Sequence, residues 1–259
     1  MRRSPRASDE QANRGKEQLA GLHVALEAIR ARRRKLWVLR VQRGLQRPEL
    51  AAVVAEAKAA GIRVEPVSEE RLAELAAGVA NSQGVVLEAG PLPELSLGAL
   101  LESIPDQART LVALDGVEDP QNLGAIARVV EGCGAAGLIL PRRRSAPLSA
   151  AAARASAGAI EWLPCARVPN LPRALNILKS EGFWIFGSDP SAEVELYSLP
   201  ERSLEGKRVV VFGAEGRGLR RGVDRVLDFR VRIALEGQVA SLNVAAAAAV
   251  FLFELRRRS

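Results

Sequence analysis

The chain has 259 residues, 48% of them hydrophobic, which is enough to build one large domain or two ordinary ones. No uncharged apolar run reaches the roughly 18 residues of a membrane span, and a single histidine with two lone cysteines argues against a four-ligand zinc site, so we expect no metal. The isolated thiols indicate a reducing, cytoplasmic compartment, and the net charge of +7 favours an anionic partner.

The chain begins with a basic, polar segment, residues 1–18, whose composition predicts a disordered tail. It has no apolar stretch of the kind that secretory signals contain. Acidic residues at Asp9, Glu10 and Glu17 also argue against a transit peptide.

Residues 19–92 alternate between helical and strand-like patterns and predict a small α/β sandwich. Apolar residues at helical spacing predict a helix over residues 21–29. Pro48 is suited to the first turn of a second helix, and Ser68 to the cap of a third over residues 69–77. Three short apolar segments are predicted as strands: 36–39, 62–67 and 84–87.

A stretch rich in proline and glycine, residues 93–108, predicts a linker that contains a weak helix at 97–102. In residues 109–259, short apolar runs alternate with helical patterns, which predicts a parallel sheet covered by helices on both faces. The predicted strands are 111–114, 138–140, 162–163, 183–186, 209–212 and 230–235. The predicted helices are 122–132, 148–157, 171–180, 219–226 and a last helix after Asn243. Because the last helix has hardly a polar residue, we expect it to be buried against its own core or against another subunit.

Arginine is concentrated in four clusters. Any one of them is ordinary solvated surface, but four in one chain favour a polyanionic partner, chiefly nucleic acid. Aromatic residues make up only 4% of the chain, so contacts to the phosphate backbone rather than base stacking are expected to carry the affinity. The clusters lie in residues 30–35, 142–144, 217–225 and 256–258.

The segment of residues 132–137, Gly-Cys-Gly-Ala-Ala-Gly, matches the GxGxxG pattern of dinucleotide-binding proteins. That fingerprint must follow a strand and open a helix. Here it follows a predicted helix and precedes a predicted strand. We therefore predict a helix C-terminus and a tight loop rather than a dinucleotide site.

Two segments are candidates for chemistry. Residues 213–216, Gly-Ala-Glu-Gly, follow a predicted strand, where glycines let the backbone approach a ligand at the carboxyl edge of a sheet. Asn122 begins a predicted helix that also carries Gly124 and Arg128; a glycine so early in a helix costs about 1 kcal/mol relative to alanine. Each signal is weak alone, because a tight turn, an N-cap and a salt-bridged surface arginine explain them equally well.

Taken in order, these segments resemble the three motifs of the SpoU/TrmH family, which are S-adenosylmethionine-dependent RNA ribose 2′-O-methyltransferases of the SPOUT class. The segments that carry the resemblance are residues 115–128, 212–219, 233–235 and 241–244. Residues 21–25 and 81–86 are similar to the ribosomal-protein-like RNA-binding domain that precedes the catalytic domain in the 23S rRNA guanosine subfamily.

The resemblance implies a deep trefoil knot within the parallel-sheet domain, a homodimer, and S-adenosylmethionine as the cofactor. It implies that Arg128, Asn122 and Glu215 serve catalysis. The implied cofactor-binding residues are Gly213, Glu215, Gly216, Ile233, Leu235, Ser241, Leu242 and Asn243. The implied reaction is methylation of a ribose 2′-hydroxyl, on a guanosine of 23S rRNA. Methylation of tRNA, and a non-catalytic RNA-binding role in ribosome assembly, remain as alternatives.

Overall fold

The computed structural model describes residues 15–76, 79, 81–105, 110–201, 204–214 and 216–258. The chain divides into two compact units, Met1–Pro93 with Leu148–Arg154, and Glu94–Pro147 with Ala155–Ser259. Most of the predicted tail, residues 1–14, lies outside the described residues. No helix within the described ranges is long and apolar enough to cross a lipid bilayer.

The first unit is built on a four-stranded sheet. Its strands are β1 (Glu17–Ala20), β2 (Leu36–Gln42), β3 (Arg63–Val67) and β4 (Val85–Ala89). Its helices are α1 (Leu22–Ala31), α2 (Pro48–Ala59) and α3 (Glu69–Leu75). The strand order is β1-β4-β2-β3, with β4 antiparallel to both of its neighbours and β3 parallel to β2.

Strand β4 is buried on both sides, as the middle of a sandwich requires. Val86 packs with Leu72 of α3, and Leu87, next in the strand, points to the opposite face and is fully buried. The predicted α/β sandwich is therefore present. Strand β1 was not predicted, because only two of its four residues are buried; Glu17 and Gln18, assigned above to the tail, belong to it.

Opposite charges are paired across this sheet. The side chain of Glu88 in β4 is nearly buried and accepts hydrogen bonds from Lys16 at 2.8 Å and from Arg40 at 3.0 Å. Burial alone raises the pKa of Glu88, but the hydrogen bonds from Lys16 and Arg40 outweigh it, so the pKa lies below its ordinary value of 4.5. The carboxylate is thus held ionised within the sheet.

The second unit is built on a seven-stranded sheet in the order β7-β6-β5-β10-β8-β11-β9. Its strands are β5 (Thr110–Asp115), β6 (Leu138–Pro141), β7 (Cys165–Val168), β8 (Phe183–Ser188), β9 (Val194–Glu195), β10 (Lys207–Gly213) and β11 (Phe229–Arg232). The remaining helices of the chain are α4 (Leu97–Ser103), α5 (Pro120–Gly132), α6 (Ala150–Ala155), α7 (Leu171–Ser180), α8 (Arg221–Asp224) and α9 (Val244–Arg257).

Every pairing in this sheet is parallel, and helices cover both faces, as predicted. On one face Leu175 of α7 packs in a cluster with Val209 and Val211 of β10. On the other, Phe212 meets Phe251 of α9 edge to face, with ring centroids 5.8 Å apart. The alternation of these β10 residues places the core on both sides of the central strand.

Two predictions for this unit need correction, and one strand was missed. The predicted strand at residues 162–163 is wrong, because Trp162 ends a short 3₁₀ helix, Ala159–Glu161, and β7 begins only at Cys165. Strand β11 ends at Arg232, so residues 233–235 lie in a loop. Strand β9 was missed. The weak helix predicted within residues 93–108 is present as α4, and its Leu100 is fully buried in the core of the second unit.

The glycine-rich segment of residues 132–137 joins a helix to a strand, as predicted. Helix α5 ends at Gly132, Gly134 takes the left-handed conformation with φ 75°, and β6 begins after Gly137. Both cysteines are buried and free. Burial raises the pKa of the Cys133 thiol at this helix end.

Helix α9 is buried along one face only. Phe251 and Leu252 are almost fully buried, whereas Phe253 is 48% exposed. Ala246, about two helical turns earlier on the same side as Phe253, is exposed as well. Within one copy of the chain the core covers one face of this helix, and burial of the other face against another subunit stays a prediction.

Candidate active site

The carboxyl ends of the seven parallel strands lie along one edge of the second sheet, where ligands bind in open α/β folds. We call this the carboxyl edge. A cavity of about 470 Å³ opens there, within the size range of small-molecule sites. Its described lining comes from the loops after β8, β10 and β11 and from the start of α9: residues 188–191, 212–214, 216–218, 233, 235, 240–242, 244 and 247.

The loop after β10 forms a tight turn that walls this cavity. The amide of Gly218 donates to the carbonyl of Ala214 at 2.9 Å. A Cβ atom on Gly213 would lie 2.3 Å from the carbonyl carbon of Gly218, which no side chain could tolerate. The turn therefore requires glycine where β10 ends.

A buried carboxylate fixes the far end of this loop. Asp115, the last residue of β5, is fully buried, and it accepts hydrogen bonds from the backbone amide of Arg220 at 2.8 Å and from its Nε at 2.6 Å. The two residues are 105 positions apart in sequence. Because β5 and β10 are paired, this contact ties the loop to the neighbouring strand. Nothing in the sequence analysis identified this pair.

Asn122 and Asn243 meet at the rim of the cavity. The side-chain amide of Asn243 donates to the side-chain oxygen of Asn122 at 3.1 Å, while its own oxygen caps α9 by accepting from the amide of Ala245. The alternative that Asn122 is an N-cap is wrong, because α5 begins at Pro120 and is capped by Asp119. Asn122 instead lies in the first turn of α5, half-buried beneath Asn243.

The structure brings most of the predicted cofactor residues together. Asn243 lies at the rim of the cavity, between Leu242 and Val244, which line it. Glu215 lies outside the described residues. The predicted residues that line the cavity are Gly213, Gly216, Ile233, Leu235, Ser241 and Leu242. The loop after β8, residues 188–191, was missed, although a strand that ends in Gly-Ser-Asp-Pro carries the same kind of signal as the loop after β10.

Asp189 from this missed loop gives the cavity an acidic wall. Its carboxylate is half-buried and accepts from the amide of Ser191 at 2.9 Å and from its hydroxyl at 2.7 Å. Phe212, Ile233 and Leu242 form apolar walls. Arg217 also lines the cavity, so the arrangement suits a ligand that is part apolar and carries groups of both charges.

Arg128 projects from the exposed side of α5 and does not line the cavity. It lies six residues past Asn122, about 9 Å along the helix axis. Its guanidinium forms no hydrogen bond or ion pair with any other residue in the described part of the chain, so it is not the salt-bridged arginine that an ordinary surface would present. Because the residue is exposed, its five N–H donors are open to solvent.

Residues 109–253 match the SpoU rRNA methylase family, and residues 18–95 match the substrate-binding domain of RNA 2′-O ribose methyltransferases. The chain belongs to the SpoU rRNA methylase family. It is 37% identical to the 23S rRNA (guanosine-2′-O-)-methyltransferase RlmB of Ralstonia nicotianae, over 93% of this chain and 96% of that protein. It is 36% identical to an uncharacterized tRNA/rRNA methyltransferase of Synechocystis, over 98% of this chain but 66% of that protein.

Among solved structures, the AdoMet-bound rRNA methyltransferase from Sinorhizobium meliloti superimposes with a TM-score of 0.77 at 27% identity, over 96% of this chain and 90% of that one. As a SpoU family member, the chain is an RNA methyltransferase that uses S-adenosylmethionine. The cavity fits this cofactor, because its apolar walls suit an adenine ring and Asp189 suits a cationic group. When bound, the cofactor supplies an electrophilic methyl group on a sulfonium.

Proposed function

We propose that this protein methylates the ribose 2′-hydroxyl of a guanosine in 23S rRNA. The curated relative from Ralstonia carries that activity in its name and matches nearly the whole chain. The single structural observation that supports the proposal is the hydrogen bond from Asn243 to Asn122. It joins the rim of the cavity, where the cofactor is proposed to bind, to the helix that carries Arg128, where the RNA is proposed to bind.

In this proposal the cavity residues hold the methyl donor, and the exposed side of α5 receives the RNA. Methyl transfer is an in-line displacement, so the chain must align the 2′-oxygen with the methyl carbon, and such alignment lowers the barrier by several kcal/mol. Asn122 and Asn243 position the start of α5 against the start of α9 for this purpose. Glu215 is assigned by resemblance alone to the orientation of the same site.

Arg128 is proposed to act on the RNA as a hydrogen-bond donor. The pKa of a guanidinium exceeds about 12, which makes it unsuited to remove the hydroxyl proton as a base. A fixed cation can instead hold the adjoining phosphate and stabilise the negative charge that develops on the 2′-oxygen. Its lack of partners among the described residues leaves its N–H groups available for this contact.

The sequence-derived boundaries give each segment a role in the proposal. Residues 19–92 bind the RNA, residues 109–259 carry catalysis, residues 93–108 connect them, and residues 1–18 form a basic tail. The match of residues 18–95 to a substrate-binding family supports the first assignment.

Mapping of 2′-O-methyl groups tests the substrate. Total RNA from cells with and without the gene is compared at every ribose of 23S rRNA and of tRNA, and purified protein with S-adenosylmethionine is then supplied to the unmethylated RNA. We expect one guanosine of 23S rRNA to lose and regain its methyl group. A methyl group that changes only in tRNA would replace the proposed substrate with the alternative one, and no change in either RNA would refute both.

We further propose that the protein is a homodimer that covers the exposed face of α9. Phe253 and Ala246 leave an apolar strip open to solvent beside a half-buried Val250. Phe253→Glu should give a monomer in light scattering. Ile177→Glu, which changes an equally exposed apolar residue on α7, should leave the mass unchanged. A monomeric wild type would refute the proposal.

The trefoil knot implied by the family resemblance also remains a proposal. After β11, near one side of the sheet, the chain returns through residues 233–243 so that α9 packs against α5 and the central strand β10. This return path is the part of the chain that would be threaded through a loop. An experimental structure in which the chain, traced without a break, contains no knot would contradict it.

A further inference from the structure

A second concavity, of about 390 Å³, lies at the carboxyl edge beside β6 and β7. We call it the arginine groove. Its side chains come from the loop after β6, the loop after β7, and the segment that follows the turn after β10. It is lined by Pro141, Arg143, Arg144, Pro169, Asn170, Leu171, Pro172, Arg220, Gly222 and Val223. None of these lining residues is acidic.

The positive charge of this groove is not neutralised locally. Arg143 and Arg144 are both exposed, and neither forms an ion pair or hydrogen bond with another residue that the structure describes. Arg220 differs, because its guanidinium is bound to the buried Asp115. Two guanidinium groups without described partners therefore line this concave surface. Each can donate two parallel N–H hydrogen bonds to a phosphate.

The loop that carries these two arginines is fixed from within by a third. Arg167 in β7 is only 8% exposed, and its guanidinium donates to the carbonyl of Pro141 at 3.1 Å and to that of Ala146 at 2.6 Å. It also donates to the hydroxyl of Ser145. The carbonyls at both ends of the loop are thus held by one buried cation, which orders the backbone between them.

Arg144 takes the left-handed conformation, with φ 58°. Such a conformation costs a residue with a side chain about 1–2 kcal/mol, and it persists only where the surroundings enforce it. Here the enforcement comes from Arg167 and from the amide of Ala146, which donates to the carbonyl of Val117 at 2.8 Å.

The groove lies on the same edge as the reaction site. In the sheet order, β5 with Asp115 stands between β6 and β10, and adjacent strands are about 5 Å apart. Arg220 lines the groove and is pinned through Asp115 to the turn that walls the cavity. A nucleic-acid strand that places one ribose at Asn122 therefore passes within reach of the groove.

We infer that Arg143 and Arg144 bind backbone phosphates of the substrate RNA next to the nucleotide that is methylated. The contact is to phosphate, so it sets affinity and register and carries no base specificity. The inference rests on the proposed function only for the identity of the RNA.

The test compares Arg143→Ala/Arg144→Ala with Lys207→Ala. The control removes a positive charge from the opposite edge of the same sheet, since Lys207 begins β10. Affinity is measured for a transcript of the methylated 23S rRNA region and for a tRNA transcript, across a salt series. Calorimetry measures S-adenosylmethionine binding to each variant.

For the arginine pair we expect RNA affinity to fall about tenfold at low salt, with a salt slope shallower by roughly 1.4–1.8 for two lost phosphate contacts. The KM for RNA should rise with little change in kcat, because uniform binding is removed. Cofactor affinity should stay that of wild type, and Arg143→Lys/Arg144→Lys should restore most of the slope. The lysine control should match wild type throughout.

An unchanged salt slope in the arginine pair, or an equal loss in the lysine control, would overturn the inference. This outcome is separable from failure of the proposed substrate. If wild type binds and methylates only tRNA, the 23S rRNA assignment fails while the comparison of variants still reports on the groove.

Discussion

The two sheets of this chain place their charged side chains differently. In the four-stranded sheet, where strands run in both directions, Glu88 is paired with basic side chains, and these contacts stabilise the sheet. In the seven-stranded sheet every strand ends at the same edge. There the buried Asp115 holds Arg220, while Arg143 and Arg144 are exposed without partners among the described residues. Parallel strands thus bring their loops to one edge, where some charges stabilise the fold and others remain available to a ligand.

The largest effect is expected from Arg128→Ala. Because its guanidinium is proposed to stabilise the developing oxyanion, kcat should fall about 10²- to 10³-fold. Cofactor affinity and melting temperature should not change, since Arg128 touches neither the cavity nor any described partner. Single-turnover methylation and calorimetry measure these quantities, with Lys207→Ala as the control. A variant with wild-type kcat would remove Arg128 from the reaction.

A smaller effect is expected from Asp115→Asn, which weakens the attachment of Arg220. We expect S-adenosylmethionine affinity to fall about tenfold and the free energy of unfolding by about 1–3 kcal/mol, the value of a charge-assisted hydrogen bond lost from a buried site. Calorimetry and urea unfolding test this. Asp224→Asn removes an exposed pair with Arg230 in the same unit and is the control. Equal cofactor affinity in both variants would show that the loop holds without Asp115.

Asn122→Ala and Asn243→Ala separate two roles of one contact. Both remove the hydrogen bond between the helices, so both should lower kcat by a similar factor of about ten. Only Asn243→Ala also removes the cap of α9, which should lower stability by about a further 1 kcal/mol. Thermal unfolding compared with initial rates distinguishes them. A larger loss of stability in Asn122→Ala would reverse this assignment.

The smallest effect is expected in the first unit. Because the pKa of Glu88 is lower in the folded state, its stabilisation is present above about pH 4.5, its ordinary value, and is lost as the pH falls below it. Glu88→Gln should therefore lower stability by about 1 kcal/mol at neutral pH and flatten the acid dependence. Hydrogen exchange of β4 measures this, with Glu74→Gln in an exposed pair as control. A change in cofactor affinity would contradict the division between the sheets.

The sequence predicted most of the second unit because its buried strands are continuous apolar runs separated by helical patterns. β10 is such a run, and helix α7 was predicted with its observed ends. β1 and β9 were missed because so few of their residues are buried. Trp162 was taken for a strand residue because an apolar pair has no period that could distinguish a 3₁₀ turn from an extended segment.

The candidate site was predictable where local glycine patterns mark a loop and family resemblance connects the loops. It was not predictable where two distant positions meet. Asp115 and Arg220 are each an ordinary loop residue until β5 and β10 pair. Likewise, the order imposed on Arg143 and Arg144 by Arg167 depends on β6 and β7 being neighbours, which no local pattern encodes.

The contact between Asn122 and Asn243 has a consequence for biosynthesis. Its two partners are separated by 121 positions, so Asn122 leaves the ribosome long before Asn243 has been made. At the usual pace of about 5–20 residues per second, the interval is several seconds or more. Until α9 arrives, the cavity lacks one wall and its rim, so a nascent chain has no complete place for the methyl donor. This RNA methyltransferase would thus become active only after translation has carried the chain through its last described helix.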